Sequence, residues 1–103
     1  MKKMNILFVC SGGYRAKLAS SSFQSNKNLE CRNVGIYSVS GEELGKLISW
    51  ADKIICITSM HYNFINANFK VDNGKLLNLG LSDMADEEEI VSVSKKEVSK
   101  FIL

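Results

Sequence analysis

Four short apolar runs, Asn5 to Val9, Val34 to Val39, Ile54 to Thr58 and Leu76 to Leu79, are separated by segments long enough for a helix. Each run is mostly Ile, Val, Leu and Phe without strict alternation, the pattern of strands covered on both faces, as in a parallel sheet. The intervening segments carry helical periodicity. Ser40-Gly41-Glu42-Glu43 has the form of a capping box, and Leu44, Leu47, Ile48 and Ala51 then fall on one face. His61 to Phe69 places Phe64, Ile65 and Phe69 on a second stripe. Asp86 to Glu89 puts acidic side chains where a helix N-terminus favours them, ahead of a core face of Ile90, Val91, Val98, Phe101 and Ile102. Strands alternating with helices imply right-handed crossovers, and so a three-layer α/β sandwich around a four-stranded parallel sheet. Ligands in such sheets bind where loops leave the carboxyl ends of strands. That narrows the search to the loops after Val9, Val39, Thr58 and Leu79.

Length and composition agree with this architecture. The 103 residues, 46% hydrophobic and 23% charged, suit one soluble domain spanning 1–103 with one core, not a disordered, collagenous or coiled-coil chain. A net charge of +2 is too small to argue for a nucleic-acid polymer or an anionic membrane as the main partner. Three cysteines, an odd number, fit a reducing, cytoplasmic setting better than a disulfide framework. The apolar stretch after Lys2 and Lys3 ends at Val9, shorter than a signal-peptide core, and no run approaches a membrane span.

The first loop carries the strongest chemical signal. Cys10-Ser11-Gly12-Gly13-Tyr14-Arg15-Ala16 sets a cysteine at the end of a buried strand, two glycines behind it, and an arginine at the opening of a helix. Glycines let successive N–H groups turn inward, a helix N-terminus adds positive potential, and a guanidinium offers a planar fork for phosphate oxygens. The same field favours an anionic sulfur, which suits Cys10 to the role of nucleophile. The bland alternative is a plain strand-to-helix turn with a small buried cysteine. On the chemical reading Cys10 and Arg15 act on a tetrahedral anion. Ser11, Gly12, Gly13, Tyr14 and Ala16 then line it, with no metal or cofactor required.

Ile6-Leu7-Phe8-Val9-Cys10-Ser11-Gly12 resembles the opening of the low-molecular-weight protein tyrosine phosphatases, especially the short single-domain bacterial members. Two later segments resemble that family in the same order: Trp50-Ala51-Asp52-Lys53-Ile54-Ile55-Cys56-Ile57 followed by His61, and Leu77-Asn78-Leu79-Gly80-Leu81-Ser82-Asp83. The resemblance implies hydrolysis of a phosphotyrosine-type monoester, on a phosphorylated protein or small molecule, through a cysteinyl-phosphate. Cys10 would be the nucleophile, Arg15 the oxyanion clamp and Asp83 the general acid, then base. The departures are specific. Four residues separate Cys10 from Arg15 where the family has five. Ala16-Lys17 replaces the family's Ser-Pro, Ser82 replaces the proline before the aspartate, and Met84-Ala85 stands where an aromatic is expected.

Two other functions remain open at the level of sequence. The shortened loop suits a scaffold that binds a phosphorylated small molecule or nucleotide without turning it over. The pattern Cys10-Ser11-x-Gly13 followed by Leu18 also resembles the phosphocysteine loop of the small IIB proteins of sugar phosphotransferase systems, although an arginine in the loop is not their habit. Elsewhere, His61 reads as a helix-opening surface or capping residue, with lining of the pocket as the alternative. Cys31 and Cys56 read as core, and Trp50 as packing at a helix end. Tyr14 is placed to stack on a ligand or fill the pocket. Asp86 to Glu89 reads as a solvated helix start whose acidic rim would repel anions.

Overall fold

The computed structural model describes residues 3–72 and 74–100. Strands β1 (Met4–Cys10), β2 (Leu29–Gly35), β3 (Lys53–Cys56) and β4 (Leu76–Asn78) alternate with helices α1 (Tyr14–Ser21), α2 (Gly41–Trp50), α3 (Ser59–Asn68) and α4 (Glu87–Val98). The sheet is parallel throughout, in the order β2-β1-β3-β4, as expected for covered apolar strands joined by helices. Among the described residues no helix is long and apolar enough to cross a membrane.

The central strand shows how the sandwich is built. Successive side chains of a strand point to opposite faces, so Ile6, Phe8 and Cys10 enter one apolar cluster while Leu7 and Val9 enter another. The first cluster lies under α1 and α4 and includes Ala16, Ala19, Ile90 and Val98. The second lies under α2 and α3 and includes Leu44, Ile48 and Ile65. Residues Ile6 through Val9 are fully buried, which explains why that run shows no polar alternation. Phe101 and Ile102, expected on the α4 core face, lie outside the described residues.

The second strand departs from the expectation. The apolar run Val34 to Val39 suggested a strand, yet β2 is Leu29–Gly35, paired with β1 from Met4↔Leu29 to Cys10↔Gly35. β2 is an edge strand, so Glu30, Arg32 and Asn33 tolerate partial or full exposure and the strand reads as polar. Val34 and Ile36 are buried, whereas Tyr37 is exposed in the turn beyond. The site-facing loop therefore begins after Gly35 rather than after Val39.

Helix starts follow their caps. The Ser40 side chain accepts from Glu43 N at 3.1 Å, and that of Asp86 accepts from Glu89 N at 2.8 Å. The Trp50-Ala51-Asp52 passage is a structural brace far from the loop ends. Asp52 Oδ2 accepts from Asn5 N at 2.8 Å, Asp52 N donates back to Asn5 O at 2.7 Å, and the Trp50 carbonyl accepts from the Asn5 side chain at 3.0 Å. Arg32 lies over the Trp50 ring at 4.4 Å, tying the edge strand to α2.

Candidate active site

β1 ends at Cys10, which is 1% exposed, and the chain turns at once into α1. The turn needs one glycine for its own conformation. Gly13, the residue capping α1, has φ 99°, a left-handed backbone that favours glycine. It needs a second for space. A Cβ on Gly35 would meet the main-chain carbon of Gly12 and would stand 2.5 Å from Gly13 N and 2.6 Å from Ser11 O. The residues after β2 clamp the loop from that side: Ile36 N donates to Cys10 O at 2.8 Å, Tyr37 N to Ser11 O at 3.0 Å, and Ser38 Oγ to Gly12 O at 3.0 Å.

The clamped loop curls around the sulfur. Gly13 N donates to Cys10 Sγ at 3.1 Å and Ala16 N, in the first turn of α1, donates at 3.3 Å. Two main-chain N–H donors and the N-terminus of α1 are thus directed at one sulfur. Of the two glycines in the motif, only Gly13 occupies a left-handed conformation; Gly12 is exposed, with open space where a side chain would stand.

Arg15 and Asp83, 68 residues apart, meet. Arg15 NH1 lies 3.2 Å from Asp83 Oδ1, with the guanidinium side largely sheltered and the carboxylate 74% exposed. Tyr14 lies beside this pair on the rim of the loop, and its hydroxyl donates to Glu87 Oε1 at 2.7 Å, on the first residue of α4. This bond and the charge of Glu87 hold the phenol above its usual range. Two consecutive residues of the loop are thus bonded to the region joining β4 to α4.

His61 is fully buried, contrary to its reading as a surface residue, although it does act within the α3 cap. Its Nδ1 accepts from Thr58 N at 3.3 Å and lies 3.0 Å from Thr58 Oγ1; its Nε2 lies 2.8 Å from Ser11 Oγ. A main-chain N–H can only donate, so Nδ1 is the acceptor and the proton of the neutral ring sits on Nε2. Burial lowers the pKa of the imidazole, the nearby Arg15 charge lowers it further, and Asp83 partly opposes both. A neutral His61 therefore donates to Ser11 and leaves the serine's own proton free for another acceptor.

The sequence leaves His61 open between cap and pocket and does not single out Gly35 or Thr58, while Glu87, expected in a solvated helix start, instead bonds Tyr14. The Thr58-x-x-His61 spacing, with histidine in the place of the usual glutamate or glutamine, was a usable signal. Gly35 carried none, because its role arises from contact across two strands. Cys56 is core as expected, its thiol pushed up to about 12 by burial. Cys31 is only half-buried at the edge strand, a correction to its reading as core, and its thiol is raised to about 11, by burial first and by Glu30 second. A recess of about 510 Å³ lined in part by Phe23, Lys27, Leu29 and Cys31 opens at the amino ends of β1 and β2, away from these groups.

Comparison with solved structures finds the same fold. The YwlE arginine phosphatase from Geobacillus stearothermophilus superposes with a TM-score of 0.74 at 20% identity, covering 94% of this chain and 92% of that one. A low-molecular-weight protein tyrosine phosphatase from T. tengcongensis gives 0.74 at 18%, covering 96% and 100%. The chain has the low-molecular-weight phosphatase fold. A low-molecular-weight protein tyrosine phosphatase from Bacillus subtilis, solved in solution, gives 0.63 at 19%, covering 90% and 89%. No protein-family model matches the chain, and no curated protein sequence matches it significantly. The expected fold class is therefore observed at a level of sequence identity where spacing motifs alone carried the likeness.

Proposed function

We propose that this chain is a phosphatase that hydrolyses a phosphoric monoester of the phosphotyrosine type through a cysteinyl-phosphate. One observation carries the reading: a buried cysteine sulfur receives two main-chain N–H bonds at a helix N-terminus, with the Arg15–Asp83 pair beside that turn. In the first step Cys10 Sγ attacks phosphorus, the S–P bond forms as the P–O bond to the leaving group breaks, and Asp83 protonates the departing oxygen. In the second, Asp83 accepts a proton from water as that water attacks phosphorus, and the S–P bond breaks to release phosphate and the thiolate.

The free-state geometry gives Arg15 a second task. Its partner without substrate is Asp83, and an incoming dianion competes for the same guanidinium. Transfer of Arg15 to the phosphate oxygens frees the Asp83 carboxyl to carry a proton to the leaving group. One of the similar structures, a YwlE arginine phosphatase, holds a phosphorylated active-site serine, so the fold accommodates a phosphoryl group on a side chain.

The test is release of phosphate from an aryl phosphate. Activity is expected to vanish in Cys10→Ser and to fall by about 10²- to 10⁴-fold in Asp83→Asn, the range for loss of a positioned acid. Turnover no higher than the Cys10→Ser background would reject hydrolysis. The Arg15–Asp83 pair also favours a second reading, in which the scaffold binds a phosphorylated ligand and does not turn it over. That reading expects calorimetric binding of a phosphorylated small molecule, lost in Arg15→Ala, without release of phosphate.

A further inference from the structure

The near-neutral total charge conceals a separation imposed by the fold. In a parallel sheet with helical crossovers, the carboxyl ends of strands and the N-termini of helices share one edge. Of the 11 acidic residues, Glu42 and Glu43 stand in the first turn of α2, Asp83 in the connection after β4, and 86–89 at the start of α4. All seven therefore lie on the edge that carries Cys10. Six of the 13 basic residues lie at the other end: Lys3 before β1, Lys27 before β2, Lys53 opening β3, Lys75 before β4, and Lys95 and Lys96 in the last turn of α4. The cations on the Cys10 edge are Arg15, paired with Asp83, Lys46, which lies 3.9 Å from Glu42, and Lys17, one turn into α1.

Apolar exposure is separated in the same way. Among the described residues, the large hydrophobic side chains left exposed are Tyr14, Tyr37, Met60 and Met84. They belong to the start of α1, the turn after β2, the start of α3 and the connection after β4, so all four rim the same edge. Tyr14 is held there by Glu87, and Tyr37 by the bond from its N–H to Ser11 O.

An anion cup on an edge that carries seven carboxylates penalises a free small phosphate, since the approaching dianion meets like charge before it meets Arg15. The penalty disappears when the phosphoryl group arrives on a carrier with compensating positive charge. The apolar rim, on a molecule whose longest dimensions are 33 and 30 Å, matches a carrier with side chains of its own. We infer that the face around Cys10 docks a basic polypeptide segment, in which the phosphorylated residue is flanked by Lys or Arg. This inference rests on the proposed function and narrows its substrate class from phosphorylated proteins or small molecules to phosphorylated basic segments.

The probe is a pair of phosphotyrosyl peptides of equal length, one flanked by Lys and Arg and the other by Asp and Glu. Their binding to the Cys10→Ser protein is measured by fluorescence anisotropy. The basic peptide is expected to bind at least about tenfold more tightly at low ionic strength, an advantage that shrinks as salt approaches about 0.15 M. Glu88→Gln/Glu89→Gln is expected to reduce the preference by several-fold. Equal binding, preference for the acidic peptide, a preference insensitive to salt, or no binding of either peptide would overturn the inference. Phosphate release by the unsubstituted protein is scored separately. A basic preference without release leaves this surface assignment standing and removes the hydrolytic one, while release with no preference does the reverse.

Discussion

At the scale of single residues, the site depends on groups whose importance comes from what they touch. Gly35→Ala places a methyl group in the main chain of residues 11–13 and must displace the loop. Loss of at least about 100-fold in phosphatase activity is expected, because misplacement by about 1 Å is worth that much. A drop in stability of about 2 to 4 kcal/mol, read from urea unfolding, should accompany it. Near-normal activity in Gly35→Ala would contradict the described packing. His61 makes a prediction with a definite sign. Its native pKa is lowered from 6.5, by burial first and by Arg15 second. As pH falls below that value the unfolded chain takes up a proton that the native state resists. The stability associated with the neutral ring is therefore complete above about 6.5 and lost as pH falls through the lower native value. The Tm should be level between about pH 7 and 8 and decline between about 6.5 and 5, above the carboxylate range. His61 is the only histidine in the chain, so His61→Asn should remove most of that decline; an unchanged slope would refute the assignment. Cys10 and Arg15 were legible as candidates from their types and spacing, and Asp83 only through the family resemblance. Gly35 and the Ser11–His61 bond were not, because neither partner's neighbours in sequence announce a contact 24 or 50 residues away.

At the scale of elements, helices were the easier part to foresee, since a cap and an apolar stripe are local properties. Ser40 and Asp86 act as the pattern suggested, and Leu44, Ile48 and Ile90 are buried as expected. β2 was displaced by five residues at its start, because an edge strand need not be apolar and its register is set by pairing with β1. The helix α4 carries one local defect. Ser94 is fully buried in the middle of the helix, and its hydroxyl has no hydrogen-bond partner. Removing an unsatisfied buried polar atom relieves a desolvation cost of about 1 to 3 kcal/mol. Ser94→Ala is therefore expected to raise the Tm by several degrees in calorimetry, about 4 to 8 °C per kcal/mol for a domain of this size. A lower Tm would mean that the hydroxyl has a stabilising role absent from the described contacts.

For the whole molecule, three thiols stand in three different surroundings and none is paired. A reducing agent should leave the Tm unchanged, and a thiol reagent should count three groups in denaturant. In the native state Cys56, fully buried with its thiol near 12, should react at a rate limited by unfolding. Fast labelling of Cys56, located by mass spectrometry, would contradict the closed second cluster. The same scale separates what was written in the chain from what folding added. Apolar runs and helical stripes determined a parallel α/β sandwich, and the cysteine-glycine-arginine loop marked a candidate site at the end of its first strand, because hydrophobic period and turn chemistry are short-range. Tertiary structure alone decided that Arg15 meets Asp83, that Gly35 must be bare, that His61 is buried against Ser11, and that seven of the 11 acidic residues gather on the edge that carries Cys10. Each of those depends on which distant segments a shared sheet brings side by side, a distance in space that no local pattern of residues encodes.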